Sequence, residues 1–344
     1  MSDDFDFIDS YGEAVEVKHE NQLPENDVDT ALSVGIIGVG GGGGKLAQAF
    51  IEQGYNKTIL INTTAKDQPL GLEEAHLVLV PGADGAAKDV TIGKKVFSDN
   101  SAVVEDALRT KLGKVDWLIV CAGGGGGTGS STSALSGVFD RYLASVQAEG
   151  SVIYVTTQPT AQEMLNSTIR ENAESLNAEL SDCTQIVLDN EKQVQLLRGK
   201  VGMLGMYPTA NTTFVKLLTQ VLKLADEKSP IQSFDSKDLE RCLKTPKRMF
   251  LGSTIAKDTG PNLGAELYQN CLRRSPCPEP KGKPKTGAML LVITPEMAED
   301  PEVSKHLDAA VSYVGGRTET LFSGVYIREN LPGLVAILAL NGLD

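Results

Sequence analysis

The chain has 344 residues and a formal net charge of −13, from 32 basic and 45 acidic residues. That length predicts two domains, and the acidic balance argues against direct nucleic-acid binding because no compact basic stripe offsets phosphate repulsion. No uninterrupted apolar stretch reaches 18 residues and the N-terminus is acidic. We therefore expect no transmembrane helix, no direct membrane insertion and no signal peptide, and we expect a cytoplasmic protein.

Cysteine and histidine usage argues against several kinds of site. The five cysteines are odd in number and scattered, which predicts reduced thiols rather than a disulfide framework. The three histidines are also dispersed, so the sequence favours neither a zinc site nor a Ser-His-Asp site.

The N-terminal residues 1–32 are predicted to form an acidic, disordered arm. Within residues 1–30, ten acidic residues stand against the single Lys18, so this stretch carries −9 of the total charge of −13. A few hydrophobic residues are interspersed: Phe5, Phe7, Ile8, Tyr11 and Val15. The arm is a candidate docking segment for an adaptor, and a solvated tail without a partner is the alternative.

Two glycine runs, at residues 38–45 and 123–130, dominate the sequence. Each follows an apolar strand-like segment and opens a helix-like one. Glycine loses the most backbone entropy on ordering, so such runs are costly unless a ligand must approach the backbone closely. Between a strand and a helix they present N–H groups to an anion, which predicts a bound phosphate chain. A flexible linker is the alternative, and the strand and helix on either side disfavour it.

The first run also fits a dinucleotide-binding pattern through Gly38, Gly40 and Gly43. That pattern requires an acidic residue at the end of the second strand, about 20 positions on, where this chain has Asn-Thr-Thr at residues 62–64. A Walker A loop is disfavoured too, because Leu46 follows Lys45 where Ser or Thr is required. A NAD-dependent oxidoreductase is thus a remote alternative.

The second run, residues 122–130, resembles the signature loop of tubulin, and residues 33–342 resemble the tubulin/FtsZ superfamily, nearer to FtsZ than to eukaryotic tubulin. The resemblance implies an α/β fold with a parallel-sheet, Rossmann-like GTP-binding domain at residues 33–208. A long central helix at 209–230 and a smaller α+β C-terminal, GTPase-activating domain at 231–344 would follow.

The resemblance also implies a set of phosphate-binding residues. Lys45 stands where the family usually has Asn, and Thr64 replaces a carboxylate of the second loop. Residues 85–95 are similar to the third loop, which senses the γ-phosphate in the family. The implied residues are Gly40, Gly41, Gly42, Gly43, Lys45, Asn62, Gly85, Gly125, Gly126, Gly127, Thr128, Gly129 and Ser130.

Further positions are similar to the family's ribose and base contacts. Pro159 and Glu163 match the ribose-binding loop, while Asn190 and Asn211 match the two residues that read the guanine edge. Taken singly, Glu163 and Asn190 would be ordinary solvated loop residues. They are given these roles because they follow the second glycine run in the same order as in the family.

Residues 233–238 resemble the family's catalytic synergy loop, with Asp235 and Asp238 at the positions of its two carboxylates. A structural alternative is that Asp235 caps a helix beginning near Ser236, with Asp238 as the acidic residue of its first turn. The two interpretations coexist, since capping would hold Asp238 in place.

The resemblance therefore implies a GTPase that polymerises head to tail with itself and hydrolyses GTP at the subunit interface. Its cofactors would be GTP or GDP, and Mg²⁺ is the expected cation, with no ligand residues assigned. The filament would act in cell division or in positioning plasmid or phage DNA. A non-hydrolysing, GTP-bound scaffold is the alternative.

Overall fold

A computed structural model describes residues 22–344. Ten strands form one sheet in the order β3-β2-β1-β4-β5-β6-β7-β10-β8-β9. The strands are β1 Val34–Val39, β2 Thr58–Asn62, β3 Leu77–Leu79, β4 Trp117–Gly123, β5 Val152–Gln158, β6 Thr184–Asp189, β7 Lys247–Ala256, β8 Thr286–Ile293, β9 Thr320–Ile327 and β10 Leu334–Leu343.

Helices cover both faces of this sheet, and most connect successive strands. They are α1 Gly40–Ile51, α2 Val90–Asp99, α3 Ser101–Leu112, α4 Gly127–Ser130, α5 Ser136–Ser145, α6 Ser167–Glu179, α7 Asn190–Leu197, α8 Met206–Leu224, α9 Ser236–Leu243, α10 Leu263–Arg274, α11 Pro295–Glu299 and α12 Pro301–Gly315. The predicted α/β fold class with a mainly parallel central sheet is confirmed.

The strands β1 and β4 lie side by side in the parallel part of the sheet. Every residue of β1 and all but the last of β4 are buried, as expected of parallel strands covered on both faces. Their register pairs Val39 with Ala122, so both strands end at the same edge. The two glycine runs follow these ends, and the topology therefore brings them together at the carboxyl edge of the sheet.

The C-terminal strands do not form a sheet of their own. β7 pairs in parallel with β6 over three residue pairs, beginning at Thr184 with Lys247. β10 then pairs antiparallel with β7 and β8. The sequence predicted a separate smaller sheet because this pairing joins segments about 60 residues apart, which strand patterns cannot reveal.

The central helix α8 begins at Met206 and ends at Leu224, a few residues ahead of the predicted range at both ends. It buries Phe214, Val215 and Leu218 in the main core of the protein. At 1.5 Å per residue its 19 residues span about 28 Å. The helix thus sets the distance between the chain segments at its two ends.

The predicted N-terminal arm falls partly outside the described structure, since residues 1–21 are not described. Residues 22–32 pack on the fold, with Leu23, Val28 and Leu32 buried. Asn26 donates to the Val34 carbonyl at 3.0 Å and accepts from the Lys57 N–H at 2.8 Å. The predicted arm boundary at residue 32 is therefore too late, because these apolar side chains and Asn26 fasten the segment to the sheet.

All five cysteines are free thiols, and four of them are buried. Burial raises the pKa of Cys242 and of Cys271 to about 12. Between residues 22 and 344, no helix combines the length and the apolar character needed to cross a membrane.

Candidate functional site

The two glycine runs meet backbone to backbone beside a cleft of about 480 Å³. A Cβ at Gly42 would lie 3.2 Å from the Cα of Gly123, and one at Gly40 would lie 2.8 Å from the nitrogen of Gly129. Gly40 also has a φ of +68°, which disfavours residues with a side chain. Close approach of two loops therefore explains why glycine is needed at this contact.

The helices that start at these runs have free N-termini. Neither α1 nor α4 receives a side-chain cap, and the first turn of each contains no acidic residue. Asp89, Asn166, Asp189 and Asp235 cap α2, α6, α7 and α9, whereas α3, α5, α8 and α10 lack a side-chain cap as α1 and α4 do. The first N–H groups of a helix have no partner within it. What distinguishes α1 and α4 is that residues of their first turns line the cleft, where these N–H groups can meet an anion.

The third loop forms another wall of the cleft through Gly85, Ala87 and Lys88, which all have positive φ. For the alanine and the lysine this conformation is strained. Asn172 of α6 donates to the Lys88 carbonyl at 2.9 Å and helps to hold the loop in place. The strain is thus concentrated where the backbone faces the cleft.

The basic pair that ends the third-loop match does not reach the cleft. Lys94 forms an ion pair with Glu179 at 2.5 Å, and Lys95 forms one with Asp99 at 2.7 Å. Lys88 lines the cleft instead. In the structure Lys94 therefore links α2 to α6, and Lys95 forms its ion pair within α2.

Thr64, which replaces a carboxylate of the family's second loop, contacts another carboxylate. Its Oγ1 donates to Asp84 Oδ1 at 2.8 Å, and Lys66 pairs with the other oxygen of Asp84 at 2.5 Å. The two bonds and the lysine's charge lower the pKa of Asp84. Nearby, the hydroxyls of Thr63 and Thr128 lie 3.1 Å apart and link the second loop to α4.

At the other end of the cleft lie Pro159, Glu163, Ile169 and Asn190. Glu163 Oε2 accepts from the N–H of Thr160 at 2.8 Å and from its hydroxyl at 2.9 Å, which fixes the carboxylate. Asn190 is the first residue of α7, whose cap is Asp189. An apolar wall beside a fixed carboxylate and an amide suits a sugar and a polar ring.

The charged side chains lining the cleft are Asp67, Lys88 and Glu163. Two carboxylates against one cation make these lining groups net negative. Binding of a polyphosphate would therefore depend on backbone N–H groups, helix N-termini and an added cation. In the described part of the chain, no cluster of three His, Cys, Asp or Glu residues could hold a metal by itself.

The predicted catalytic pair, Asp235 and Asp238, lies at the start of α9. Asp235 Oδ1 accepts from the N–H groups of Lys237 at 2.9 Å and Asp238 at 3.0 Å, so the predicted helix cap is confirmed. Burial, followed by the negative charge of Asp235, raises the pKa of Asp238. Neither aspartate lines the cleft.

The position of this pair is set by the end of α8. The Tyr326 hydroxyl donates to the Leu224 carbonyl at 2.7 Å and accepts from the Phe234 N–H at 3.0 Å. The loop that carries Asp235 is thereby fastened to the C-terminal end of the helix. The N-terminal end of α8 follows α7, whose first residue, Asn190, lines the cleft.

Several large apolar side chains are exposed, and two of them lie close in the sequence to residues that line the cleft. Leu70 is 94% exposed, Leu165 82%, Met203 91% and Leu204 95%. Leu165 follows Glu163 closely in the chain, and Leu70 follows Asp67. Ile231, in the loop before Asp235, is also about half exposed, at 51%. Where such side chains form a patch, another protein commonly covers it.

Comparison with known proteins finds relatives by sequence and solved structures with a similar fold. The cell division protein FtsZ of Buchnera aphidicola subsp. Baizongia pistaciae (strain Bp) is 25% identical over 230 residues, which is 64% of this chain and 56% of the relative. The match thus spans little more than half of that protein. No family model matches the chain.

Solved structures of three proteins share the fold. A GTPγS-form protofilament of TubZ from Bacillus thuringiensis serovar israelensis gives a TM-score of 0.75 at 16% identity, covering 92% of this chain and 88% of TubZ. GTPγS-bound CetZ2 from Haloferax volcanii gives 0.72 at 20% identity, covering 91% and 94%. The empty FtsZ dimer of M. jannaschii gives 0.63 at 19%, covering 91% and 89%.

The chain is thus similar in sequence to FtsZ and shares the fold of TubZ, CetZ2 and FtsZ. Eleven of the residues predicted from the resemblance line the cleft: Gly41, Gly42, Gly85, Gly125, Gly126, Gly127, Thr128, Gly129, Pro159, Glu163 and Asn190. Larger cavities elsewhere lack the glycine loops. The chain therefore has its candidate ligand site at the carboxyl edge of the parallel strands.

The other predicted residues do not line the cleft. Gly43 has a packing role, because a Cβ there would lie 2.1 Å from the Cys121 carbonyl oxygen of β4. Ser130 is fully buried, and its hydroxyl has no partner in the described structure. Asn62 is buried, and its Oδ1 accepts from the Thr63 N–H at 2.8 Å.

The last three of this group, Gly40, Lys45 and Asn211, belong to the helices α1 and α8. Gly40 contacts Gly129 and so shapes the wall from behind. Lys45 is exposed on α1 but away from the cleft, and Asn211 is buried in α8. For Lys45 and Asn211 direct ligand contact stays a prediction.

Sequence reasoning missed Asp67 and Ile169. Asp67 lies beside the first turn of α1, with its Cβ 3.2 Å from the position that a Gly41 Cβ would take. It lies three residues beyond Thr64, the position at which the family has its carboxylate. A search for an acidic residue slightly further along the same loop would have found it.

Proposed function

We propose that this protein binds GTP in the cleft, polymerises head to tail with itself, and hydrolyses GTP where the cleft of one copy meets the α9 aspartates of the next. The observation that supports this most strongly is the separation of the two sites by α8, about 28 Å long. Neither Asp235 nor Asp238 lines the cleft of its own chain. A heterologous contact between copies brings them together, and because it does not close it produces a filament.

In this proposal the phosphates lie against the glycine runs and the N-termini of α1 and α4. Asp235 and Asp238 of the neighbouring copy orient or activate the attacking water, while N–H groups stabilise charge on the γ-phosphate. Asn190 reads the guanine edge, because an amide matched to guanine leaves buried polar atoms unpaired against adenine.

A bound Mg²⁺ would neutralise charge on the phosphates. The carboxylate available to it is Asp67, which lines the cleft next to α1, while Asp84 is paired with Lys66. The chain thus offers one carboxylate, with phosphate oxygens and water completing the shell, as Mg²⁺ commonly takes.

The test is sedimentation with GTP, GDP, ATP or no nucleotide, with phosphate release followed in parallel. We expect GTP-dependent pelleting with hydrolysis, and weaker binding and pelleting with ATP. Asp238→Ala should still bind GTP and pellet yet release phosphate slowly, because its own cleft is intact. Pelleting without phosphate release from the unmodified protein would instead show the non-hydrolysing scaffold, and equal binding of ATP and GTP would refute guanine selectivity.

A further inference from the structure

A second groove, of about 890 Å³, lies between the helices α7 and α8 and the C-terminal strands. Its apolar walls come from both sides, with Leu197, Phe214 and Leu217 facing it from the helices and Val335 and Ile337 from β10. None of the residues that line it is acidic. This groove takes no part in the nucleotide cleft described above.

Four cations line the same groove: Lys200, Lys216, Arg273 and Arg274. In residues 22–344 none of them forms a salt bridge, although eleven such pairs occur there. These four cations make the groove a basic surface on a chain with a net charge of −13. The groove is therefore complementary to an acidic ligand that also has apolar side chains.

We propose that residues 1–21 of the same chain dock in this groove. The segment has seven acidic residues against the single Lys18, and these are interspersed with Phe5, Phe7, Ile8, Tyr11 and Val15. Its charge thus complements the four cations, and its apolar side chains match the walls. No other part of the chain combines these features so closely.

The segment is long enough to reach the groove. It joins the fold at Gln22, next to Leu23, whose N–H donates to the Lys111 carbonyl at 2.9 Å. With Ile8 docked, residues 9–21 form the link to Gln22, and thirteen extended residues span up to about 45 Å. A folded unit of this size has a radius of gyration of about 20 Å, so a link of that length can cross a large part of its surface.

Zero-length carbodiimide cross-linking of the full chain, read by mass spectrometry, tests the proposal. It joins carboxylates to lysines in direct contact. Cross-links from residues 3–20 should concentrate on Lys200 and Lys216, and those to Lys200 should fall about tenfold in Lys216→Glu, where repulsion replaces attraction. Lys223→Glu is the matched control, since Lys223 is exposed on the same helix outside the groove and its change should leave the pattern intact. Cross-links spread over exposed lysines in general would overturn the proposal.

Two further measurements separate the remaining outcomes. Mixing ¹⁵N-labelled and unlabelled protein shows whether the linked residues share a chain, and mixed-isotope links would reassign the segment to the groove of a neighbouring copy. Hydrogen exchange of the full chain should show faster exchange at residues 193–200 and 210–217 when Phe5, Phe7 and Ile8 are all changed to Ser. Unchanged exchange there would contradict apolar docking.

Discussion

Asp235 shows how one side chain can have a structural and a chemical role together. Its Oδ1 satisfies two N–H groups at the start of α9, which fixes Asp238 in the first turn of that helix. The charge of the same group helps to raise the pKa of Asp238. The cap was foreseeable from the sequence. The separation from the cleft was not, because it depends on where α8 ends.

Substitution of Asp235 can separate the two roles. Asn caps a helix about as well as Asp, whereas Ala loses about 1 kcal/mol of stability at such a site. We expect Asp235→Asn to unfold at nearly the normal denaturant concentration and Asp235→Ala to unfold earlier, with filament GTPase activity low in both. Full activity in Asp235→Asn would show that this residue only caps the helix.

The raised pKa of Asp238 gives a pH prediction with a defined sign. Ionisation of Asp238 is less favourable in the folded protein than in the unfolded chain. The group therefore stabilises the fold most below its usual pKa, and this contribution to the free energy of unfolding is lost as pH rises through the raised pKa. The pH dependence of catalysis has the opposite sign, because catalysis needs the ionised form of Asp238. Phosphate release should therefore fall on acidification at a higher pH than an ordinary Asp would give.

Arg241 provides the matched test, because its charge lowers the pKa of Asp238. Arg241→Gln should move the acid limb of the phosphate-release profile to higher pH, while Arg241→Lys, which keeps the charge, should leave it near its normal position. Filament mass is measured at each pH by sedimentation. A limb that stays in place in Arg241→Gln would show that Asp238 does not control the rate.

At the scale of elements, apolar runs predicted most strands, and the glycine runs located the site. The predictions that failed depend on contacts between residues that are far apart in the sequence. The first run is already helical from Gly40, because its glycines pack against β4 and α4. β9 runs without a break from Thr320 to Ile327 through Gly324, where a Cβ would lie 2.7 Å from Tyr326 and 3.0 Å from Phe234. Lys94 and Lys95 form ion pairs with Glu179 and Asp99 and do not line the cleft.

Two glycines of the second run should respond differently to alanine. A Cβ at Gly129 would lie 2.4 Å from the Gly123 carbonyl oxygen, whereas a Cβ at Gly126 would meet nothing within 4 Å. We expect Gly129→Ala to lose about 1–3 kcal/mol of stability through overpacking. Gly126→Ala should fold normally but bind GTP more weakly, because its methyl group occupies the cleft. Thermal unfolding and nucleotide titration check both, and normal GTP binding by Gly126→Ala would mean that phosphate does not approach there.

For the whole molecule, the important point is that the cleft and the α9 aspartates are separate sites, since neither aspartate lines the cleft. Exposed apolar side chains lie close to each in the sequence, with Leu165 two residues after Glu163 and Ile231 four residues before Asp235. In the proposed mechanism each site is incomplete alone. Stacking copies end to end would cover apolar surface and complete the site in one contact. Hydrolysis would then depend on assembly.

This dependence predicts complementation between two inactive variants. Asp238→Ala keeps its cleft but offers its neighbour no carboxylate. Thr128→Ala keeps its aspartates but loses the hydroxyl that lies 3.1 Å from Thr63 at the cleft. In an equal mixture, random head-to-tail pairing gives about one interface in four an intact cleft and an intact loop. Phosphate release should therefore exceed the mean of the two separate variants. If co-polymerisation is confirmed and the rate is only that mean, catalysis takes place within one subunit, and Asp235 and Asp238 serve the fold alone.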